Sequence, residues 1–173
     1  VKGMQELGRP YSGFLYAGVM IDADGTPNVL EYNCRFGDPE TQPIMMRLRS
    51  DLAWLCDMAL DARLDEVNVE WDERKALGVV LAAGGYPGSY NTGDIIDALP
   101  ENTPDMHIFH AGTAIKDGRQ VTSGGRVLCV TALGETVTEA QQRAYAAVGK
   151  VHWKDIYFRT DIGHRAISRE SQS

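Results

Sequence analysis

The segment NVLEYNCRFGDPETQP, residues 28–43, alternates apolar and polar side chains until it reaches a Gly-Asp-Pro turn. Because successive side chains of a β-strand point to opposite faces, this period of two predicts a strand with one core face. The predicted core face holds Leu30, Tyr32, Cys34 and Phe36, and the predicted polar face holds Glu31, Asn33 and Arg35. Neighbours on the polar face lie roughly 7 Å apart, close enough to share one ligand.

This strand is predicted to form the second arm of a β-hairpin. The apolar run Phe14 to Ile21 precedes it, and DADGTP, residues 22–27, is an Asp-Gly turn of the kind that joins antiparallel strands. A short helix is predicted next, started by Pro39 or Pro43, followed by a longer one that begins after Ser50-Asp51 and ends near Leu64.

The second half of the chain is predicted to be strand-rich. The polar stretch EVNVEWDERK, residues 66–75, is the predicted domain boundary, and several apolar segments separated by Gly-containing turns follow it. A capping box from Thr136 to Glu139 predicts one helix over 138–148. The ending SRESQS, residues 168–173, is predicted to be frayed. The fold class expected from these elements is α+β.

Charge and hydropathy exclude some classes of partner. The net charge of the 173 residues is −7 and no Lys/Arg block is present, which argues against nucleic acid as a partner. No apolar run is long enough to span a bilayer and no signal peptide is visible, which argues against a membrane. Three widely spaced cysteines in apolar surroundings indicate reduced thiols and a cytoplasmic protein.

The polar face and the turn after it carry a candidate metal and phosphate site. Glu31 and Asn33 offer oxygen ligands at i and i+2, which suits a hard divalent cation; the alternative is a polar face in solvent. The Arg35 fork suits a phosphate or carboxylate, or else forms a surface ion pair. Asp38 and Glu40 add carboxylates for substrate binding, or serve helix capping.

Two glycine-rich segments are further candidates for substrate binding. AAGGYPGSYNTGD, residues 82–94, has neither a P-loop nor a dinucleotide-binding register, so its glycines serve tight turns or contact a substrate. In TSGGR, the backbone of Gly124 and Gly125 beside Arg126 presents N–H groups and a cation that suit a phosphate.

EYNCRFGDPETQ, residues 31–42, resembles the signature of the glycinamide ribonucleotide synthetases (phosphoribosylamine–glycine ligases), a family of the ATP-grasp superfamily. The segments YSGFLYAGVM, LGVVLAAGGYPGSYNTGD and DIGHRAI resemble the same family's C-terminal half, so the resemblance covers essentially the whole chain. It implies the C-terminal part of an ATP-grasp domain over residues 1–73 and a small β-rich C-terminal domain over residues 74–173.

The resemblance also implies roles for individual residues. Glu31 and Asn33 inherit the ligation of Mg²⁺ or Mn²⁺ bridging the phosphates of ATP, and Arg35 inherits a place near the transferred phosphate. Arg126 is the best match for a basic residue on the ribose phosphate. Many superfamily members carry a third metal carboxylate about a dozen residues earlier, but YAGVM, residues 16–20, has no acid.

The implied reaction joins glycine to 5-phosphoribosylamine at the expense of ATP, through a glycyl phosphate. One alternative is another ATP-grasp ligase or carboxylase of purine biosynthesis, against which the Gly-Asp-Pro-Glu continuation at 37–40 argues. A second alternative is a folded but catalytically incomplete fragment. We expect the chain to be the C-terminal piece of a longer protein, with the N-terminal half of the same enzyme as its partner.

Overall fold

The computed structural model describes residues 1–171, which form two compact units. The hairpin unit comprises Val1–Thr41 and Leu48–Trp71, and the C-terminal unit comprises Gln42–Arg47 and the described chain from Asp72 onward. The units divide the chain between Trp71 and Asp72 and assign residues 42–47 to the C-terminal unit, while the domains 1–73 and 74–173 stay a prediction. None of the helices within residues 1–171 combines the length and apolar composition needed to cross a membrane.

The hairpin unit contains the predicted β-hairpin. Helix α1 (Lys2–Glu6) precedes strands β1 (Tyr16–Ile21) and β2 (Pro27–Asn33), which pair antiparallel. The Asp-Gly turn is closed by two backbone hydrogen bonds of 3.0 Å, from the N–H of Asp22 to the carbonyl of Thr26 and from the N–H of Gly25 to the carbonyl of Asp22. The prediction of a hairpin here is confirmed.

The prediction of a core face on β2 is wrong in two respects. The strand ends at Asn33, so Cys34 and Phe36 lie beyond it. Leu30 and Tyr32 are 65% and 62% exposed, and Cys34, a free thiol like the other two cysteines, is exposed as well. The physical reason is that β1 and β2 form a two-stranded sheet, which gives a side chain few neighbours on either face.

Two helices follow the hairpin, as predicted. They are α2 (Thr41–Arg47) and α3 (Leu52–Leu60). Asp51 is the N-cap of α3, since its carboxylate accepts a 3.0 Å hydrogen bond from the N–H of Trp54. The helix ends four residues before the predicted Leu64, because the chain turns through Ala62 with a φ of 56°. A single 3₁₀ turn then spans Leu64–Glu66.

A three-stranded antiparallel sheet of order β3-β7-β4 is the centre of the C-terminal unit. Its elements are β3 (Lys75–Ala82), β4 (Met106–His110) and β7 (Arg126–Gly134), while β5 (Thr113–Lys116) and β6 (Arg119–Thr122) form a separate hairpin. Helix α4 (Val137–Val148) packs on β3 and β7. The core includes the fully buried residues Val79, Leu81, Val127, Val130 and Ala132. The expected α+β class is confirmed.

The helices of the C-terminal unit show one confirmed prediction and one miss. The Thr136 hydroxyl accepts from the N–H of Glu139 at 3.1 Å, as the capping box predicts. Where a frayed end was predicted, Ser168 lies within α5 (His164–Glu170). The Glu170 carboxylate anchors this helix, because it accepts from the N–H of Val137 at 2.6 Å. The rest of the predicted frayed segment, residues 172 and 173, lies outside the described residues.

Candidate functional site

The structure brings Glu31 and Asn33 together on one face of β2. The Asn33 amide nitrogen donates to Oε1 of Glu31 at 2.9 Å. Rotating that amide by half a turn places its oxygen beside the carboxylate, so the pair presents two oxygen ligands to one cation. This donor set fits Mg²⁺ or Mn²⁺, which take further ligands from phosphates and water. Within residues 1–171, no group of three or more His, Cys, Asp or Glu side chains is placed to hold a metal.

The strand opposite Glu31 explains why no acid of β1 joins the pair. Gly18 is the cross-strand partner of Glu31, and the register shifts between Gly18 and Val19. A Cβ atom on Gly18 would lie 3.2 Å from Cγ of Glu31, which is tighter than ordinary van der Waals contact. A side chain at this position would crowd Glu31. Strand β1 therefore places no third ligand opposite the pair.

Tyr16 is a functional candidate that the sequence reasoning missed. It is the cross-strand partner of Asn33, and its hydroxyl donates to Oε1 of Glu40 at 3.2 Å. The negative charge of Glu40 is the main cause that raises the pKa of Tyr16; Glu31 raises it further and Arg35 lowers it. Tyr16 therefore lies within electrostatic reach of three of the predicted site residues. Its pairing opposite Asn33 on β1 was the signal that could have found it.

The turn after β2 is held by close packing. Gly37 is buried, and a Cβ there would clash with the Glu40 carboxylate and lie 2.9 Å from the Tyr16 ring. The Thr41 hydroxyl donates to the carbonyl of Gly37. Asp38 is exposed in the same turn. The Gly-Asp-Pro-Glu sequence thus keeps Glu40 against Tyr16, and a larger residue at position 37 would displace it.

Arg35 does not extend along the strand face as predicted, because β2 has already ended at Asn33. Its Nη1 donates to the carbonyl of Phe36 at 2.8 Å, and the side chain is exposed. The guanidinium still affects Tyr16 electrostatically, so its charge belongs to the same neighbourhood. This bond uses one of the five N–H donors of the guanidinium, so Arg35 keeps donors for a phosphate.

In the C-terminal unit, packing accounts for both glycines of TSGGR. A Cβ on Gly124 would lie 3.1 Å from Cα of Gly112, and a Cβ on Gly125 would clash with the ring of Tyr86. The carbonyl of Gly125 accepts from the N–H of Ala83 at 2.8 Å. Arg126 is exposed at the start of β7. The glycines allow close approach of protein to protein, so any phosphate contact here depends chiefly on the Arg126 side chain.

Two family descriptions match the chain. Residues 76–165 match "Phosphoribosylglycinamide synthetase, C domain", and residues 1–41 match "Phosphoribosylglycinamide synthetase, ATP-grasp (A) domain". The chain belongs to the phosphoribosylglycinamide synthetase family. Curated relatives named phosphoribosylamine–glycine ligase include those of Vibrio vulnificus, 60% identical over 99% of this chain, and Escherichia coli K12, 62% identical over 98%. The chain spans 40% of the length of each.

One solved structure agrees with this membership of the synthetase family, and another shares only the fold. The phosphoribosylamine–glycine ligase of Thermotoga maritima is 40% identical, with a TM-score of 0.71 over 92% of this chain and 39% of its own. The biotin carboxylase domain of 2-oxoglutarate carboxylase from Hydrogenobacter thermophilus has a TM-score of 0.64 at 16% identity, over 91% of this chain and 35% of its own, and shares the fold alone. The resemblance drawn from EYNCRFGDPETQ is confirmed, and the names of the relatives favour the ligase over another ATP-grasp enzyme of the purine pathway.

Proposed function

We propose that this chain takes part in the ATP-dependent ligation of glycine to 5-phosphoribosylamine. A carboxylate oxygen of glycine attacks the γ-phosphorus of ATP, and ADP leaves. The amine then attacks the carbonyl carbon of glycyl phosphate, loses a proton and expels phosphate, which gives glycinamide ribonucleotide. The observation that carries the proposal is the Glu31–Asn33 pair on β2, in a chain whose relatives bear the name of this ligase.

We assign roles to the residues of the hairpin site, which are Tyr16, Glu31, Asn33, Arg35, Asp38 and Glu40. Glu31 and Asn33 hold Mg²⁺ or Mn²⁺, which when bound neutralises charge on the transferred phosphate. Arg35 keeps N–H donors beyond the one bound to the carbonyl of Phe36, and it binds that phosphate through its planar fork. Tyr16 keeps Glu40 in place, and the carboxylates of Glu40 and Asp38 bind the substrate amine groups.

For the second substrate we propose that Arg126 binds the ribose phosphate, with the Gly124–Gly125 backbone beside it. Charge-assisted hydrogen bonds of this kind contribute about 1.5–3 kcal/mol, or roughly 10–150-fold in affinity. Arg126→Ala should therefore raise the Michaelis constant for phosphoribosylamine alone. A uniform rise for ATP, glycine and phosphoribosylamine would make Arg126 a structural residue and refute the assignment.

We propose further that residues 1–73 are the C-terminal part of an ATP-grasp domain and that residues 74–173 form the C-terminal domain. The N-terminal half of the same enzyme is the proposed partner that adds to the nucleotide site, and the whole enzyme works in the cytoplasm. The 40% coverage of the relatives favours a second candidate for the chain by itself, a folded piece without activity. A titration with MgATP distinguishes them, since a working site binds the nucleotide and an incomplete site does not.

The proposed activity is tested in a chimera, in which this chain replaces the 172 matching residues of the Escherichia coli K12 relative. We expect the chimera to form glycinamide ribonucleotide, and we expect Glu31→Gln to abolish turnover. Glu70→Gln, an exposed carboxylate of the same unit, is the matched control and should keep full activity. A folded but inactive chimera, or equal activity in both variants, would contradict the proposal.

A further inference from the structure

A surface cavity of about 500 Å³ lies in the C-terminal unit, between the segment that follows Arg159 and helix α5. Its lining includes Arg159, His164, Arg165 and Arg169 around a single carboxylate, that of Asp161. Positive side chains thus dominate this cavity in a chain whose net charge is −7. Neither the hairpin site nor Arg126 contributes to the lining.

Helix α4 fixes the backbone of this cavity. The Tyr145 hydroxyl donates to the carbonyl of Arg159 at 2.6 Å and accepts from the N–H of Ile162 at 3.2 Å. The side-chain amide of Gln141 donates to the carbonyl of Ile162 at 2.7 Å. Both ends of the segment are therefore bound to the same helix, which gives a ligand a preorganised wall.

Gly163 brings the cavity close to the core. Its φ is +86°, in the left-handed region, and a Cβ there would lie 2.5 Å from Cδ1 of Leu77. Only glycine satisfies both conditions without displacing the core. Packing thus sets the position of the backbone from which the following basic side chains project.

The charged side chains differ in their pairing. Arg159 forms a two-pronged ion pair with Asp161, at 2.9 and 2.8 Å, which lowers the pKa of Asp161 and orients the guanidinium. The Nδ1 atom of His164 lies 2.7 Å from the carbonyl of Asp161, so this nitrogen donates. Arg165, also exposed, takes part in none of the hydrogen bonds or ion pairs described within residues 1–171. The guanidinium of Arg159 is oriented, and that of Arg165 is available to a ligand.

We propose that this cavity binds a phosphomonoester group, with Arg165 as the main contact and Arg159 and His164 beside it. Planar guanidinium groups match the oxygens of a phosphate, and several of them together attract a dianion more strongly than a monoanionic carboxylate. The cavity has room for more than a phosphate, so a sugar phosphate fits the space as well. The proposed function assigns the phosphate of phosphoribosylamine to Arg126, at the other end of β3, so this cavity is a separate phosphate site and does not rest on that function.

The test is a titration of this chain with ribose 5-phosphate, inorganic phosphate and ribose, followed by amide chemical shifts and calorimetry. We expect ribose 5-phosphate to shift amides within residues 159–169, and ribose to have no effect. Arg165→Gln should weaken binding by about tenfold or more, the usual effect of losing a charge-assisted hydrogen bond. Arg119→Gln, an exposed arginine of the same unit, should leave binding unchanged.

The outcomes separate the sources of the phosphate and the two proposals. Tighter binding of ribose 5-phosphate than of inorganic phosphate supports a sugar-phosphate site, and equal binding supports a site for the phosphate group alone. Binding that Arg126→Gln abolishes and Arg165→Gln leaves intact overturns this inference in favour of Arg126. The absence of shifts at residues 159–169 overturns it outright. Because the titration needs no turnover, an inactive chimera would leave its result unaffected.

Discussion

The hairpin unit and the C-terminal unit bury their apolar side chains to very different extents. Val79 and Leu81 of β3 are 0% exposed, whereas Leu30 of β2 is 65% exposed. Both strands carry regular strand patterns, so pattern alone does not decide burial. The difference is that β3 lies in a three-stranded sheet covered by α4, and β2 has a single partner strand. A core face requires a second layer, which the hairpin unit does not provide for β2.

This contrast separates the part of the chain that carries the candidate metal ligands from the part with the larger hydrophobic core. Glu31 and Asn33 project from a strand whose side chains are mostly exposed, so replacing them removes little packing. The basic cavity, in contrast, is tied to the core through Gly163 and Leu77. Substitutions matched between the two units measure this difference directly.

The largest expected effect comes from one leucine-to-alanine change in each unit. Leu81→Ala removes a side chain that is wholly buried and should lower the free energy of unfolding by about 2–5 kcal/mol. Leu30→Ala removes an exposed side chain and should change it by less than about 0.5 kcal/mol. Urea denaturation followed by circular dichroism measures both. Equal losses would show that the face of β2 is buried in solution and would break the comparison.

Two arginine ion pairs give the next contrast. Arg74 binds Asp72 at 2.8 Å and Asp105 at 2.7 Å, and the Asp72 side chain is only 6% exposed. Arg74→Ala leaves a nearly buried carboxylate without this partner and should cost about 1–3 kcal/mol of unfolding free energy. Arg63 pairs with Glu66 in the hairpin unit, where both side chains are about half exposed, so Arg63→Ala should have little effect. The same urea titration is the measurement; a comparable loss in both variants would contradict this expectation.

A pair of glycines separates backbone strain from packing. Gly25 and Gly163 have nearly equal φ angles, +88° and +86°, but a Cβ on Gly25 meets open space while one on Gly163 meets Leu77. Gly25→Ala should cost about 1 kcal/mol, the strain of a left-handed alanine. Gly163→Ala should cost about 1–2 kcal/mol more, since Leu77 must move. Equal unfolding free energies for the two variants would show that the contact at Gly163 relaxes freely.

Local signals in the sequence predicted most elements of the fold. The Asp-Gly turn predicted the β-hairpin, Asp51 predicted the start of α3, and the Thr136–Glu139 box predicted α4. Each of these acts within a few residues of chain, where spacing and residue type suffice. Helix α5 was missed because its anchor, from Glu170 to Val137, spans 33 residues.

The candidate site was predicted in part for the same reason. Residues at positions i and i+2 of one strand share a face, so the period of two brought Glu31 and Asn33 together. Tyr16 and Glu40 were not paired in advance, because their hydrogen bond joins residues 24 positions apart. The early end of β2, which turns Arg35 back to its own backbone, depends on the turn that follows and was not visible in the alternation.

The smallest expected effect concerns acid and salt. Hydrogen bonds from the backbone N–H groups of Val137 and Thr138 lower the pKa of Glu170 below its ordinary value, and the Arg63 fork lowers that of Glu66. A lowered folded-state pKa means that the stabilisation is fully present above the unfolded-state pKa and is lost as the pH falls through the folded value. Glu170→Gln should therefore be less stable than the unaltered chain at pH 7, and the difference should shrink as the solution is acidified below about pH 4.5.

Salt distinguishes the two carboxylates. The deficit of Glu170→Gln should persist in 1 M salt, about the concentration at which the Debye length falls to roughly 3 Å, because its partners are backbone N–H groups at 2.6 and 3.3 Å. The smaller deficit of Glu66→Gln should disappear there, since an exposed ion pair is screened. Thermal unfolding at several pH values and two salt concentrations measures both. If the Glu170→Gln deficit vanished with salt, the nearby charge of Lys75, rather than the N–H groups at the start of α4, would be what stabilises this carboxylate.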